Sequence, residues 1–562
     1  MINVTLISKI RLIINLIPSI MKKIKAIVIL LLVAFLLFYF RLPVLNYGFL
    51  ALPIILFLIA LLGIVLFTRL EVGKDNKVRL LEKPNKLFFV VIGLLLFYMI
   101  VFPLFTSLAM FRSSSYRNLI GNVTDGKSIS KHIAPISIDK IRVVDENLAY
   151  LLGEKILGSQ PALGSQVELG DFCIQKVGAD LYWVAPLLHS GFFKWFNNKE
   201  GTAGYVMVSA TNERDVKLVQ TVNNQNIKIK FQPEAFFGSN LKRHLYFNGY
   251  ATVGLTDYTF EIDDNGKPFW VATQYAKKIG FLGDDANGIV VVDAQTGSLA
   301  NYSIANTPKW VDRVQPIDLI EDQLNDWGKY VNGYWNFSNA NKLQITEGLT
   351  LIYGENNKSY WYTGLTSVGK DESAVGFVLV DTRTKETTFY KQSGATEFAA
   401  QGSAEGKVQE KGYKSSLPIP YNINNIPTYV MTLKDAGGLV KMYAMVAISD
   451  YTIVGVGNSM REALTSFKSA YNMTGSKINA SNTNNKKMLK TVVTRITNDV
   501  KNGNSFYYFT TKDYPNIFVG SSQISSELPI TIVGDSIHLT FDIDNEEVID
   551  VTTFENTTMK KT

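Results

Sequence analysis

Apolar residues run almost unbroken through three segments near the start of the chain, Ile24–Phe40, Tyr47–Thr68 and Leu87–Met110, and afterwards come only in short bursts between polar turns. Each long run approaches the ~20 residues that a helix needs to cross a hydrocarbon core about 30 Å thick. The pattern predicts three transmembrane helices within 24–110 and one large water-soluble part after them. Ahead of the first run, Ile2–Ile20 is apolar but interrupted by Lys9, Arg11 and Pro18, so 1–23 reads as a terminus with an interfacial amphipathic helix.

Flanking charge orients the spans, because Lys and Arg beside a span stay on the cytoplasmic side. Lys9, Arg11, Lys22, Lys23 and Lys25 precede the first run, and Arg69, Lys74, Lys77, Arg79, Lys83 and Lys86 separate the second from the third. Those two segments belong on one face. The reading puts the N-terminus in the cytoplasm and everything after about residue 112 outside it. Cys173 is the only cysteine, so the ectodomain has no internal disulfide. That absence favours the plasma membrane of a bacterium, for a host or phage protein, over a disulfide-dependent secreted eukaryotic domain.

The soluble part repeats a pattern of aromatic-rich strand, apolar strand, polar turn and return strand. Its copies are LYWVAPL (181–187) with GYVMVSATNERDVKLV (204–219), and PFWVATQ (268–274) with GIVVVDAQTGSLANYSI (288–304). SYWYTGL (359–365) with GFVLVDTRTKETTFY (376–390) follows, and then PTYVMTL (427–433) with YAMVAISDYTIVGVG (443–457). Runs such as Val290–Val292, β-branched and bounded by turn residues, are buried strands. Asp293–Gly297 reads as a hairpin turn in which Asp bonds nearby backbone and Gly supplies positive φ. Lys385 stands where Gly297 would be, so a different turn is expected there. Asp263–Gly266 and Asp284–Gly288 are also expected as hairpin turns. Helical spacing appears at Ile138–Leu157, with Gly158 as a stop, at Pro316–Trp327 and at Ser459–Tyr471.

The fold class expected is α+β, each unit a helix followed by an antiparallel meander. The order of helix, ELGDFCIQKV, LYWVAPL and a strand ending in a VVDAQTG type of turn resembles the PepSY domain family, small extracytoplasmic α+β modules. The likeness spans Ile138–Tyr471 and is best at Gly288–Ile304, with departures at Ser209 and Lys385. It implies an inhibitory, chaperoning or protein-binding role and no catalytic residues. Units are expected at 111–225, 226–310, 311–395 and, more diverged, 396–473.

Polar residues 474–487 read as a linker. Beyond them KTVVTRI, SFYYFTT, NIFVGSS, PITIV, HLTFDID and VIDVTTF predict a small OB-like β-barrel over 488–562.

Candidate chemistry changes this picture little. His132, His189, His244 and His538 are scattered and fit no metal-ligand spacing. The His189-Ser190 pair lacks a nucleophile elbow, and Cys173 lies in an apolar strand as a small buried side chain. No phosphate loop occurs, and the net charge of +7 is modest and partly cytoplasmic, so neither cofactor, metal nor nucleic acid is expected. The reading is a non-enzymatic, membrane-anchored binding or structural protein of the cell envelope. Its partners are the lipid bilayer and other envelope proteins or a wall polymer. Trp195, Trp310, Trp327, Trp335, Phe506 and Tyr508 are its candidate interaction residues. A wall hydrolase with an unrecognised carboxylate pair, and a component of a secretion or phage-encoded assembly, are the alternatives.

Overall fold

The computed structural model describes residues 2–67, 69–72, 78–82, 86–127, 133, 136, 138–346, 348–354, 358–368, 373–391, 393–473, 486–501, 504–522, 524–542 and 548–559. The expected linker lies almost wholly outside them. The chain is mixed α+β. Helix α1 (Ile2–Arg41) is continuous through Pro18 and is followed by α2 (Ala51–Phe67) and α3 (Lys86–Thr106). Within α3, a π turn at Phe97–Val101 widens the helix just before Pro103, whose ring would crowd the carbonyl four residues back. Two stretches, Lys23–Arg41 and Lys86–Thr106, are long and apolar enough to cross a membrane, whereas Ala51–Phe67 is shorter. The second run is shortened because Asn46 organises a turn, its Oδ1 accepting from Gly48 N at 3.0 Å and its carbonyl from Phe49 N at 3.1 Å.

Four sheets of largely antiparallel strands follow. Sheet one is built on Cys173–Val177, Asp180–His189, Tyr205–Ser209 and Val216–Val219, and sheet two on Gly254–Ile262, Pro268–Ile279, Leu282–Asp293 and Leu299–Ser303. Sheet three contains Thr350–Tyr353, Ser359–Ser367, Gly376–Asp381 and Thr387–Tyr390, with Val123–Gly126 added in parallel at its edge. Sheet four contains Ile419–Ile423, Ile426–Lys434, Val440–Ala447 and Asp450–Gly457.

One local geometry recurs in all four. An aromatic residue stands opposite a valine on the next strand: Trp183 on Val208, Trp270 on Val292, Trp361 on Val380 and Tyr429 on Val446. Its polar tip reaches a carbonyl before the sheet, from Trp183 to Val144 at 2.8 Å, Trp270 to Phe231 at 2.8 Å, Trp361 to Gln315 at 2.9 Å and Tyr429 to Ala395 at 3.3 Å. The N–H of each acceptor residue is in turn taken by Ala210, Ala294, Thr382 or Ile448, just beyond the valine strand. In three cases the carbonyl immediately precedes a helix N-cap. These helices are α4 (Glu146–Gly158) capped by Asp145, α5 (Ile317–Lys329) preceded by Pro316, and α6 (Glu397–Gly406) capped by Thr396. The aromatic thus pins the chain where its helix begins. This is why α4 starts at Glu146 and not Ile138: Val143 and Val144 donate to Ala210, and Asp145 then caps Leu148 N at 3.0 Å.

Alternate residues along each strand enter different cores. Trp183, Ala185 and Leu187 pack with α4, α5 and sheet three, while Val184 and Leu188 pack with Trp270 and Val290 of sheet two. Tyr362, Phe377 and Leu379 of sheet three meet Tyr429, Met431 and Val446 of sheet four. The sheets therefore layer in the order two, one, three, four. A sheet buried on both faces needs apolar residues at consecutive positions, which accounts for unbroken runs such as Val290–Val292. The outer face of sheet four is closed by α7 (Met460–Met473), whose Phe467 and Ala463 lie on Met445 and Ala447. Gly455 permits this approach, since a Cβ there would meet Phe467 N at 2.1 Å.

Two turn expectations are corrected. The turn at Asp381–Lys385 matches Asp293–Gly297: each Asp Oδ1 accepts two backbone N–H groups, and residue five donates to the Asp carbonyl, at 2.9 and 2.8 Å respectively. Lys385 adopts φ +66° and is held there by Leu119 O at 2.9 Å and an ion pair with Asp285. Asp284–Gly288 lies inside a strand, at a register shift opposite Gln274 and Tyr275, and the hairpin turns instead at Gly280 and Phe281. The Asp263 turn forms as expected, its Oδ1 accepting from Asn265 and Lys267.

The last part is a closed five-stranded barrel of Lys486–Lys501, Asn504–Thr511, Ile517–Ser521, Ser536–Asp542 and Val548–Asn556. Taken in chain order its strands neighbour as 1-2-3-5-4 and back to 1, with strands 3 and 5 parallel. PITIV is not a strand: Leu528–Ile530 forms a 3-10 turn, and Ile532 and Val533 point to solvent ahead of Gly534 at φ +97°. Phe509, Phe518, Phe541 and Phe554 fill the lumen with ring centroids 5.0–5.7 Å apart.

Candidate functional site

The six aromatic residues singled out in the sequence have different fates. Trp195 is 6% exposed and its indole N–H has no acceptor among the described residues. Trp310 stacks on Phe269 at 5.0 Å beside sheet two. Trp327 meets Phe389 edge-on at 5.8 Å beneath the Arg117 guanidinium, which also donates to the Trp327 carbonyl. Trp335, at 64% exposure, stands in a loop with Tyr334 and Phe337. Phe506 and Tyr508 are half-buried on the outer face of the barrel, since Tyr507 and Phe509 point inward. The structure therefore spreads these residues over separate elements.

Two constellations escaped the sequence. The first is where the sheet-two hairpin meets the helix ends. Phe281 at its tip donates from its backbone to Ser107 Oγ at 3.1 Å, and its ring lies 5.2 Å from Tyr98 and 5.7 Å from Phe102. Gly280, at φ +61°, is required, because a Cβ would lie 2.2 Å from Ser107 Oγ. The start of α2 joins the same junction: Tyr98 donates to the Tyr47 carbonyl, and Phe49 packs on Tyr275. The end of α1 is also held, by Leu45 N on Ala251 O at 2.7 Å and Tyr246 Oη on Pro43 O at 2.8 Å. A cavity of about 310 Å³ remains between tip and helices, lined by Tyr47, Tyr98, Phe102, Arg112, Lys277 and Lys278. Lys277 is paired with Asp284 at 2.5 Å, whereas Arg112 and Lys278 face no carboxylate within ion-pair distance among the described residues. The cavity has the chemistry to hold an anionic group. Its only sequence signal is the Lys-Lys-Ile-Gly-Phe run at 277–281.

The second is a buried cluster around Arg313 where sheets one, two and three approach one another. The guanidinium donates to Cys173 Sγ, and Asp312 accepts from Lys176 N at 2.7 Å and Tyr353 Oη at 3.2 Å. Glu261 is 1% exposed; its Oε1 accepts from Thr259 at 3.0 Å and its Oε2 has no partner among the described residues. Burial pushes Glu261 up to about 8 against the opposing pull of Arg313. Burial likewise raises Asp312, and lifts the Cys173 thiol to about 12. For Arg313, burial alone would depress the guanidinium, but Cys173, Asp257 and Glu261 drive it upward. Cys173 is thus a neutral thiol with little nucleophilic character. Asp257 adopts φ +50° at a register shift between Thr256 and Thr259, a backbone position that costs a non-glycine residue about 1 kcal/mol or more.

Burial lowers His189 below its ordinary value, while Ser190 Oγ donates to Gln166 O at 3.1 Å, so this neighbouring pair forms no nucleophile and base. Among the described residues no group of three His, Cys, Asp or Glu side chains is arranged to hold a metal.

No family model and no curated protein matches the chain. Among solved structures, an apocarotenoid oxygenase from Synechocystis aligns at 10% identity and TM-score 0.14, over 51% of this chain and 48% of that one. A levansucrase from B. megaterium aligns at 8% identity and TM-score 0.16, over 75% of this chain and 97% of that one. The first match thus spans about half of the oxygenase, and at these scores neither likeness assigns a fold.

Proposed function

We propose that this is a membrane-anchored envelope protein that binds another protein or a wall polymer and catalyses no reaction. Three N-terminal helices are its anchor, with the N-terminus and the basic 69–86 segment cytoplasmic and the rest outside the cell. The observation that carries the anchor is the junction: the end of α1 is held by Tyr246 and Ala251 just ahead of sheet two, Phe49 before α2 packs on Tyr275, and Ser107 after α3 accepts from Phe281 at the sheet-two hairpin. All three helices then run through one layer, which thins locally to match the 17 residues of α2. The fourfold recurrence of an aromatic opposite valine, its polar tip bonded in three cases to the carbonyl before a helix, supports tandem PepSY-like units. The barrel's 1-2-3-5-4 order with one parallel pair supports an OB-like module, a form that binds oligomers on its strand 2 and 3 face. Phe506 and Tyr508 lie on the outer face of strand 2, and a filled lumen leaves that face for a ligand.

The hydrolase alternative would make Glu261 a general acid, a role its raised pKa suits. Its side chain is sealed from solvent, so a polymer has no route to it, and binding is the preferred function. The test is co-sedimentation of the detergent-purified full chain with peptidoglycan. Removing both rings by Phe506→Ala and Tyr508→Ala is expected to weaken binding about tenfold or more, as loss of one to two stacked contacts would. Unchanged sedimentation would refute the barrel face as the ligand site, and steady turnover lost in Glu261→Gln would replace binding by hydrolysis.

A further inference from the structure

The short helix Phe192–Asn197 and the loop at Phe236 and Phe237 build an aromatic knob that nothing described so far uses. Trp195 is its base, with its ring 5.5 Å from Phe236 and 5.7 Å from Phe237. Phe192 packs on both Phe196 and Phe236, at 6.0 and 5.1 Å. Outward from this base Phe193 is 78% exposed, Phe196 53% and Phe237 56%. A contiguous set of exposed phenyl rings is costly in water and marks a contact surface.

We infer that this knob inserts into the headgroup and acyl boundary of a bilayer containing anionic phospholipid, beside the anchor and on the same side as the ectodomain. Its position supplies the first argument. Arg243 donates to the Phe237 carbonyl at 3.2 Å, and its guanidinium lies 4.6 Å over the Tyr39 ring in the last turn of α1. Phe247, itself exposed, lies 6.1 Å from Tyr39. The knob is thus one arginine side chain from the end of a stretch able to cross a membrane. Charge supplies the second. Lys194 and Lys199 are exposed beside the rings, with the Lys199 ammonium 4.4 Å over Phe196; Lys242, next to Arg243 and over Tyr258, adds a third exposed ammonium, and Glu200 and Glu234 are the neighbouring acids. Aromatic rings flanked by lysine suit an interface where apolar atoms enter the acyl boundary and ammonium groups meet lipid phosphate. A soluble protein partner would account for the rings but not for their place at the helix end.

The inference rests on the anchor reading, and the test separates the two. The full chain is placed in nanodiscs containing phosphatidylglycerol, with an NBD fluorophore on Phe193→Cys, Phe237→Cys or Leu32→Cys. Labelling of the buried Cys173 in the parent chain is measured as background. Lipids brominated at shallow acyl positions are expected to dim the labels at 193 and 237 about twofold, with blue-shifted emission, and deep bromination to dim the label at 32. Adding Lys194→Glu and Lys199→Glu should remove the shallow quenching. If only the label at 32 is quenched and those at 193 and 237 emit as in water, the knob is not a membrane contact although the anchor stands. If none is quenched, anchor and knob both fall.

Discussion

Sheets two and three close the same turn with different residues. At Asp293–Gly297 the residue with positive φ must be glycine, because a Cβ would lie 2.5 Å from the Phe231 ring and 3.0 Å from His244 Nε2. At Asp381–Lys385 a lysine takes the same backbone position and spends its side chain on Leu119 O and Asp285 of sheet two. The hydrogen-bond pattern of the turn is set by the aspartate and by the anchored strand beside it. What occupies its left-handed position is decided by the neighbours: packed rings exclude a side chain in one sheet, and a carboxylate rewards one in the other.

If the two sheets are equivalent, deleting the anchoring indole should damage them alike. Trp270→Ala and Trp361→Ala are each expected to cost about 3–5 kcal/mol, read as loss of the folding transition in near-UV circular dichroism. Damage to one sheet alone would end the equivalence. The turns should then differ sharply. Gly297→Ala combines left-handed strain with a clash against Phe231 and is expected to cost about 2–4 kcal/mol, whereas Lys385→Gly should change stability by about 1 kcal/mol or less, by thermal unfolding.

A further contrast is a pH slope. Glu261 stands opposite Phe269 in sheet two, and the corresponding residue opposite Tyr360 in sheet three is Ile352. Because the folded carboxyl titrates at about 8, above its ordinary 4.5, its protonated form favours folding. That contribution is complete below the unfolded value and is lost as pH rises towards about 8. The melting temperature of the parent should fall across this window and Glu261→Gln should flatten the slope; an equal slope in the variant would assign the titration elsewhere. A similarly small effect, about 1 kcal/mol or less by thermal unfolding, is expected for Asp285→Asn, because Lys385 keeps its bond to Leu119 O.

Much of this architecture was legible. The apolar runs of α1 and α3 read directly as long apolar helices, while the aromatic and valine strands of the four sheets and most barrel strands follow from burial, which writes directly into hydrophobic pattern. What was not legible depends on partners distant in the chain. Lys385 in a glycine's place is explained only by Leu119 and Asp285, both a hundred residues or more earlier. The sequence around Asp284 reads as a turn because nothing local reveals that its mate Lys277 lies across a hairpin. Ile532 and Val533 look like a strand, yet they are exposed, so their apolarity carries no information about a ladder. The helix-end junction and the Arg313 cluster were invisible for the same reason: each draws single residues from several elements, with no motif in any one of them.

The sheet-two hairpin has one more consequence. Pro268–Ile279 and Leu282–Asp293 are 12 residues each, so at ~3.3 Å per residue the paired ribbon is about 40 Å long. One end is clamped between the Trp270 anchor and the body of the molecule, and the other is seated on Ser107 and Phe102. Such a strut is stiff in tension: a tug on the body arrives at the feet of the helices as a pull on Phe281 rather than being absorbed by slack.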